Sequence, residues 1–159
     1  MNQAFSNLNK LNEERKFFPI LFGYAAQTYR SSIITRIAEQ VENIECDTLY
    51  VPLGSGVTFT GILEGIKMFD KEFRVVALQP FGYDRRESIH KNLEGMQWEY
   101  DYEYHVGDYS YHKLLQKNVG FELDMIYESK SWEMMMDLDP EPNSCFGVIG
   151  NSNNIRSGK

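Results

Sequence analysis

The sequence predicts an α/β fold of three layers, helices on both sides of a mostly parallel sheet, and three patterns carry that expectation. Short uncharged β-prone runs alternate with stretches whose apolar residues recur at helical spacing. A glycine-rich turn sits between one such strand and the helix after it. The next β-rich run follows that helix closely, which makes a βαβ unit with a right-handed crossover. The 159 residues suit one compact domain, and 42% apolar residues suffice for a core. Residues 1–17 read as a polar lead-in and residues 18–159 as the α/β domain.

The elements follow in order. Phe17-Phe18-Pro19-Ile20-Leu21-Phe22 is an apolar run broken by proline and ended by Gly23. Tyr29, Ile33, Ile34, Ile37, Ala38 and Val41 predict an amphipathic helix of about four turns, with Thr28 as its N-cap. Thr48-Leu49-Tyr50-Val51 reads as a strand covered on both faces. After the turn at 54–58, Phe59, Ile62, Leu63, Ile66 and Phe69 mark a helix, with Gly61 and Gly65 expected to pack closely on the sheet. Residues 73–78 form the next strand. Residues 84–93 predict a short helix closed by Gly95. From Trp98 to His105 aromatic and polar residues alternate, so an edge strand with one wet face is expected. Residues 109–117 and 127–138 look helical, and residues 145–149 predict a last strand.

Charge and composition narrow the function. A net charge of −7 leaves no basic surplus to neutralise phosphates, so nucleic acid is not an expected partner. No apolar run approaches the ~20 residues of a membrane span. Cys46 and Cys145 are far apart with no CxxC, and His90, His105 and His112 are scattered, so no metal site is expected. The polar start carries no signal-peptide pattern, and the expectation is a cytoplasmic, reducing location.

Gly54-Ser55-Gly56-Val57-Thr58 is the segment that can carry chemistry. A turn between a strand and a helix N-terminus presents backbone N–H groups and a positive dipole end. Glycine lets the backbone approach an anion closely, and Ser55 and Thr58 add hydroxyls. A phosphate ester fits that arrangement. The absent GK[ST] argues against a nucleotide P-loop. Phe59 in place of a third glycine, and Gln79-Pro80 in place of an acid, argue against a dinucleotide fold.

The segment Val51-Pro52-Leu53-Gly54-Ser55-Gly56-Val57-Thr58-Phe59-Thr60-Gly61-Ile62 resembles the phosphate loop of fold-type II pyridoxal-phosphate enzymes. Asp124-Met125-Ile126-Tyr127-Glu128-Ser129-Lys130-Ser131 is similar to a signature of their 1-aminocyclopropane-1-carboxylate deaminase and D-cysteine desulfhydrase branch, in the tryptophan synthase β-like superfamily. The resemblance covers residues 18–154 and matches the C-terminal half of such enzymes. It implies that Gly54, Ser55, Gly56, Val57 and Thr58 bind the phosphate of pyridoxal 5′-phosphate. It implies that Tyr127 faces the substrate, that Glu128 lies by the pyridine nitrogen, and that Tyr109 (or Tyr111) is a second active-site tyrosine. Asn151 and Asn153 fall in the loop by the ring. The implied activity is β-elimination or deamination of a small amino acid.

The pattern departs from the family in places. Val57 replaces a glycine, Met125 a proline and Ser129 a glycine. The family's cofactor-bearing lysine in a Gly-Asn-Lys-like setting has no match: Lys10 and Lys16 lie in polar contexts, and Lys67 and Lys71 on the far side of a helix. The expectation is therefore a truncated or split form that needs a lysine-bearing partner chain or a second copy of itself. The alternative is a module that binds the cofactor, or another phosphorylated small molecule, without chemistry. Without the resemblance, residues 54–58 also read as a tight structural turn, Tyr127 as a core tyrosine, Glu128 as a carboxylate favoured by a helix dipole, and Lys130 as a surface or structural residue.

Overall fold

Among the described residues, four helices and a four-stranded sheet build the three layers. The structure is a computed structural model that describes residues 27–94 and 100–149, with side chains of the first helix from Ser32 onward. The polar lead-in, the run at 17–22, the side chain of Thr28, Gly95, Trp98, Asn151 and Asn153 lie outside what is described.

The chain runs α1 (Gln27–Val41), β1 (Thr48–Pro52), α2 (Val57–Met68), β2 (Arg74–Gln79), α3 (Arg86–Leu93), β3 (Glu103–Val106), α4 (Glu128–Asp137) and β4 (Ser144–Phe146). The sheet order is β3-β2-β1-β4. Its three pairings are parallel, with Val51 opposite Ala77, Leu78 opposite His105 and Leu49 opposite Cys145.

Strand alternation divides the core in two. Leu49, Val51, Val75 and Ala77 point to one face and join Val41, Phe59, Ile62, Leu63 and Ile89 from α1, α2 and α3. Tyr50, Val76 and Leu78 point to the other, where Met134 and Met135 of α4 cover them. Both faces of β1 and β2 are therefore buried, which is why their runs carry so little charge.

Gly61 and Gly65 do not face the sheet as expected. They face α1: a Cβ on Gly61 would lie 2.7 Å from Ile37 Cβ, and one on Gly65 would lie 2.6 Å from Ala38 O and Val41 Cβ. Their missing side chains let α1 and α2 approach closely. The aromatic alternation does end in an edge strand, but pairing covers only residues 103–106, opposite Val76 to Gln79 of β2. Tyr100, Tyr102 and Tyr104 pack inward, and Tyr102 meets Phe59 edge-on at 5.1 Å.

Residues 109–117 are not helical. They belong to a strap between β3 and α4 whose backbone groups pair across it, Leu115 N–H to Met125 O at 3.1 Å and Leu123 N–H to Lys117 O at 3.1 Å. Gly120 turns it with φ +100°. Residues 147–149 leave the sheet although β1 runs on to Pro52: Gly147 N–H still donates to Tyr50 O at 2.8 Å, but Ile149 N–H donates to a side chain of α4 instead.

Candidate functional site

Helices α2 and α3 cross on one face of the sheet, whereas α4, which leads into β4, lies on the other. Strand order therefore reverses between β1 and β4. In open parallel sheets such a reversal leaves a crevice beyond the C-terminal ends of the two strands, and ligands bind there. The glycine turn leaves the end of β1 at this point.

Leu53 N–H donates to Leu78 O at 2.8 Å and anchors the chain just before the turn. Gly56 is the N-cap of α2 with φ +86°, a left-handed conformation that favours glycine. No side chain caps this helix and its first turn holds no acid. The first intrahelical bond runs from Thr60 N–H to Gly56 O at 2.9 Å, so the N–H groups before it have no helical acceptor. Ser55 is exposed and Thr58 partly so, whereas Val57 is buried and offers only its backbone. Ser55, Val57 and Thr58 edge a cavity of about 470 Å³. Its other walls include Ile33, Ile37 and Val41 of α1, Leu49 of β1, Ile62 of α2 and residues 147–149.

Tyr127 stands beside this turn. Its ring lies 3.6 Å from where a Gly54 Cβ would be, so any larger residue at 54 would press on it. It meets Phe81 edge-on at 5.2 Å and Tyr111 edge-on at 6.2 Å, and Tyr83 is a second tyrosine neighbour. Burial, then these two neighbours, push the Tyr127 phenol well above its ordinary value, so it keeps its proton and acts as a donor. The second tyrosine beside it is Tyr111. Tyr109 packs instead against the Tyr50, Val76 and Leu78 cluster under α4.

The start of α4 explains the Asp124-to-Glu128 pattern. Asp124 Oδ1 accepts from Ile126 N–H at 3.0 Å and Tyr127 N–H at 2.8 Å. Glu128 reciprocates, its Oε2 accepting from Asp124 N–H at 3.1 Å, in the manner of a capping box. Its Oε1 accepts from Ile149 N–H at 2.8 Å. Glu128 thus ties the cavity wall at 147–149 to α4.

Phe81 and Tyr83 stand beside Tyr127 without having been marked by the sequence, whereas Tyr111 is the alternative second tyrosine that the resemblance offered. For Phe81 and Tyr83 a signal was present: they follow Gln79-Pro80 at the C-terminal end of the strand next to β1. Lys130 is not a surface residue. It is 1% exposed, donates to Ser110 O at 2.9 Å, and lies 4.9 Å from the Phe81 ring. It holds the strap so that Tyr111 reaches Tyr127.

Burial lowers the Lys130 ammonium from the usual 10.5, with Asp124 acting weakly the other way. The folded chain binds this proton less tightly than the unfolded chain does. The contribution of Lys130 to stability therefore rises as pH climbs from its lowered folded value towards 10.5. Melting temperatures of Lys130→Met, followed as pH climbs towards 10.5, are expected to lack that rise. A slope equal to the parent's would contradict this placement of the amine.

No lysine lines the cavity among the described residues. Lys71 donates to the carbonyls of Glu42 and Ile44, and Lys117 pairs with Glu133. No group of three or more metal-ligating side chains occurs among the described residues, and no helix there is long and apolar enough to cross a membrane.

The chain is a three-layer α/β/α protein with a parallel sheet of generic Rossmann-like type. No protein-family model matches it, and no curated protein matches it significantly.

Proposed function

We propose that the crevice between β1 and β4 binds the phosphate of pyridoxal 5′-phosphate, and that the chain is the phosphate-holding half of a lyase or deaminase acting on a small amino acid. The observation that carries this reading is the position of residues 54–58. The left-handed Gly56, the uncapped start of α2 and the two hydroxyls meet where strand order reverses between β1 and β4. The donor set fits a phosphate: several N–H groups, Ser55 and Thr58, and no carboxylate in the first helical turn. The similarity of residues 51–62 and 124–131 to the deaminase and desulfhydrase branch selects this cofactor among phosphate esters.

When bound, the cofactor supplies an electron sink for the amino acid's α-carbon. The residues of this chain bind the phosphate, hold a protonated Tyr127 phenol next to it, and fix the wall at 147–149 through Glu128. The engagement of Glu128 with two backbone N–H groups gives it a positioning role. No lysine lines the cavity among the described residues, and in this reading a lysine-bearing partner chain or a second copy supplies the covalent link. The same observation favours a second reading, in which the chain alone binds the cofactor or another phosphorylated small molecule without turning it over.

Titration calorimetry with pyridoxal 5′-phosphate tests the binding claim, with Thr58→Glu as the variant. A carboxylate in the first turn is favoured by the helix dipole, so the fold persists, yet it competes for the N–H groups a phosphate needs. The expected loss of affinity is about tenfold or more. Equal affinity in the variant would remove the phosphate site from residues 54–58.

A further inference from the structure

We infer that Asn92 of α3 and Thr60 of α2 are positioning residues for the turn at 54–58: together they pin the Gly56 carbonyl and so aim the Val57 N–H at the phosphate. The inference rests on the proposed phosphate site and adds two residues that act on a ligand only through the backbone. Asn92 Nδ2 donates to Thr60 Oγ1 at 3.2 Å, and Thr60 Oγ1 donates to Gly56 O at 2.9 Å. Thr60 N–H donates to the same oxygen at 2.9 Å. Thr60 is 0% exposed and Asn92 6%, so bulk water does not compete for these bonds. A threonine hydroxyl bonded to the carbonyl four residues earlier is ordinary in a helix. A donor reaching it from a second helix is not. Because Asn92 Nδ2 occupies a lone pair of Thr60 Oγ1, the hydroxyl proton is directed to Gly56 O.

The consequence reaches the ligand face through the peptide plane. In a trans peptide the C=O and N–H point in opposite directions. Two donors hold Gly56 O towards the body of α2, so Val57 N–H points out of the helix start, where an anion would sit. Hydrogen bonds in series also polarise one another, which makes that N–H a better donor. α3 supports the turn in a second way. A Gly56 Cβ would lie 3.4 Å from Ile89 Cγ1 and 3.7 Å from Asn92 Nδ2, so the left-handed residue rests directly on α3. The arrangement costs stability, because Asn92 Oδ1 is buried with no hydrogen-bond partner among the described residues. A leucine would fill similar space without that penalty.

Calorimetric titrations of the full chain with pyridoxal 5′-phosphate and with pyridoxal, alongside thermal melts, test the inference on Asn92→Leu and Thr60→Val. Asn92→Leu removes the orphaned oxygen together with the donor, so its melting temperature is expected to hold or rise. Its affinity for pyridoxal 5′-phosphate is expected to fall about three- to tenfold, with that for pyridoxal unchanged. Thr60→Val is expected to lose as much, and Thr60→Ser, which keeps the hydroxyl, to stay within about twofold of the parent. An unchanged preference for the phosphorylated compound in Asn92→Leu and Thr60→Val would make the pair purely structural and overturn the inference, with the phosphate site left standing. If Thr60→Val does not fold, Asn92→Leu decides alone. A parent with no preference for the phosphorylated compound removes the phosphate site itself, and this inference falls with it.

Discussion

Glu128→Ala is expected to lower the unfolding free energy by about 3 kcal/mol and the melting temperature by about 6–12 °C. The carboxylate is 2% exposed and accepts from two backbone N–H groups at 2.8 and 3.1 Å. Hydrogen bonds to a charged acceptor are worth about 1.5–3 kcal/mol each. Their loss is not equally costly at the two ends. Ile149 is half exposed, so water replaces one bond, but Asp124 is 6% exposed and its N–H is left without that acceptor. Glu128→Gln keeps the shape and one acceptor oxygen, and about half the loss is expected. Thermal melts of both variants check this. If Glu128 served a ligand rather than the fold, the melting temperature would hold and only affinity would fall.

Gly65→Ala is expected to cost about 2 kcal/mol, although alanine is the better helix former by about 1 kcal/mol. The added methyl would stand 2.6 Å from the Ala38 carbonyl oxygen and 2.6 Å from Val41 Cβ. A backbone carbonyl in the last turn of a helix cannot rotate away without breaking that turn, so α1 has to move off α2. That motion disturbs the cluster holding Val41, Ile62 and Leu63, and overpacking of this kind costs about 1–3 kcal/mol or more. Steric cost therefore outweighs propensity. Gly61→Ala is expected to cost less, because its nearest contacts are with the Ile37 side chain and Ile34 O stands off at 3.0 Å. Urea unfolding of the two variants measures the difference. A stabilised Gly65→Ala would mean that α1 and α2 are not this close.

The contrast between these sites shows which parts of the structure a sequence can express. Uncharged β-prone runs and 3.6-residue spacing report burial of whole faces, so the order of strands and helices around the turn was legible. Who packs against whom was not. Gly61 and Gly65 announce a close approach, but spacing cannot say whether a sheet or a helix makes it. The strap at 109–126 carries enough apolar residues to mimic a helix, yet its backbone pairs across itself. That shift also decides which tyrosine meets Tyr127, because a strap turns Tyr109 and Tyr111 to different clusters. Glu128 bonds Ile149 across a long sequence gap, a contact no local pattern contains. Lys130 reads as a surface lysine in any window, and its burial depends on a carbonyl at Ser110.

The turn at 54–58 is the feature on which the functional account stands. Pyridoxal 5′-phosphate and pyridoxal share the same ring and aldehyde and differ in the phosphate. Parallel calorimetric titrations of the full chain with the two compounds therefore test the central claim most directly. Saturable binding of the phosphorylated form, with pyridoxal at least about tenfold weaker, is the predicted result. Equal affinities for the two would contradict the account.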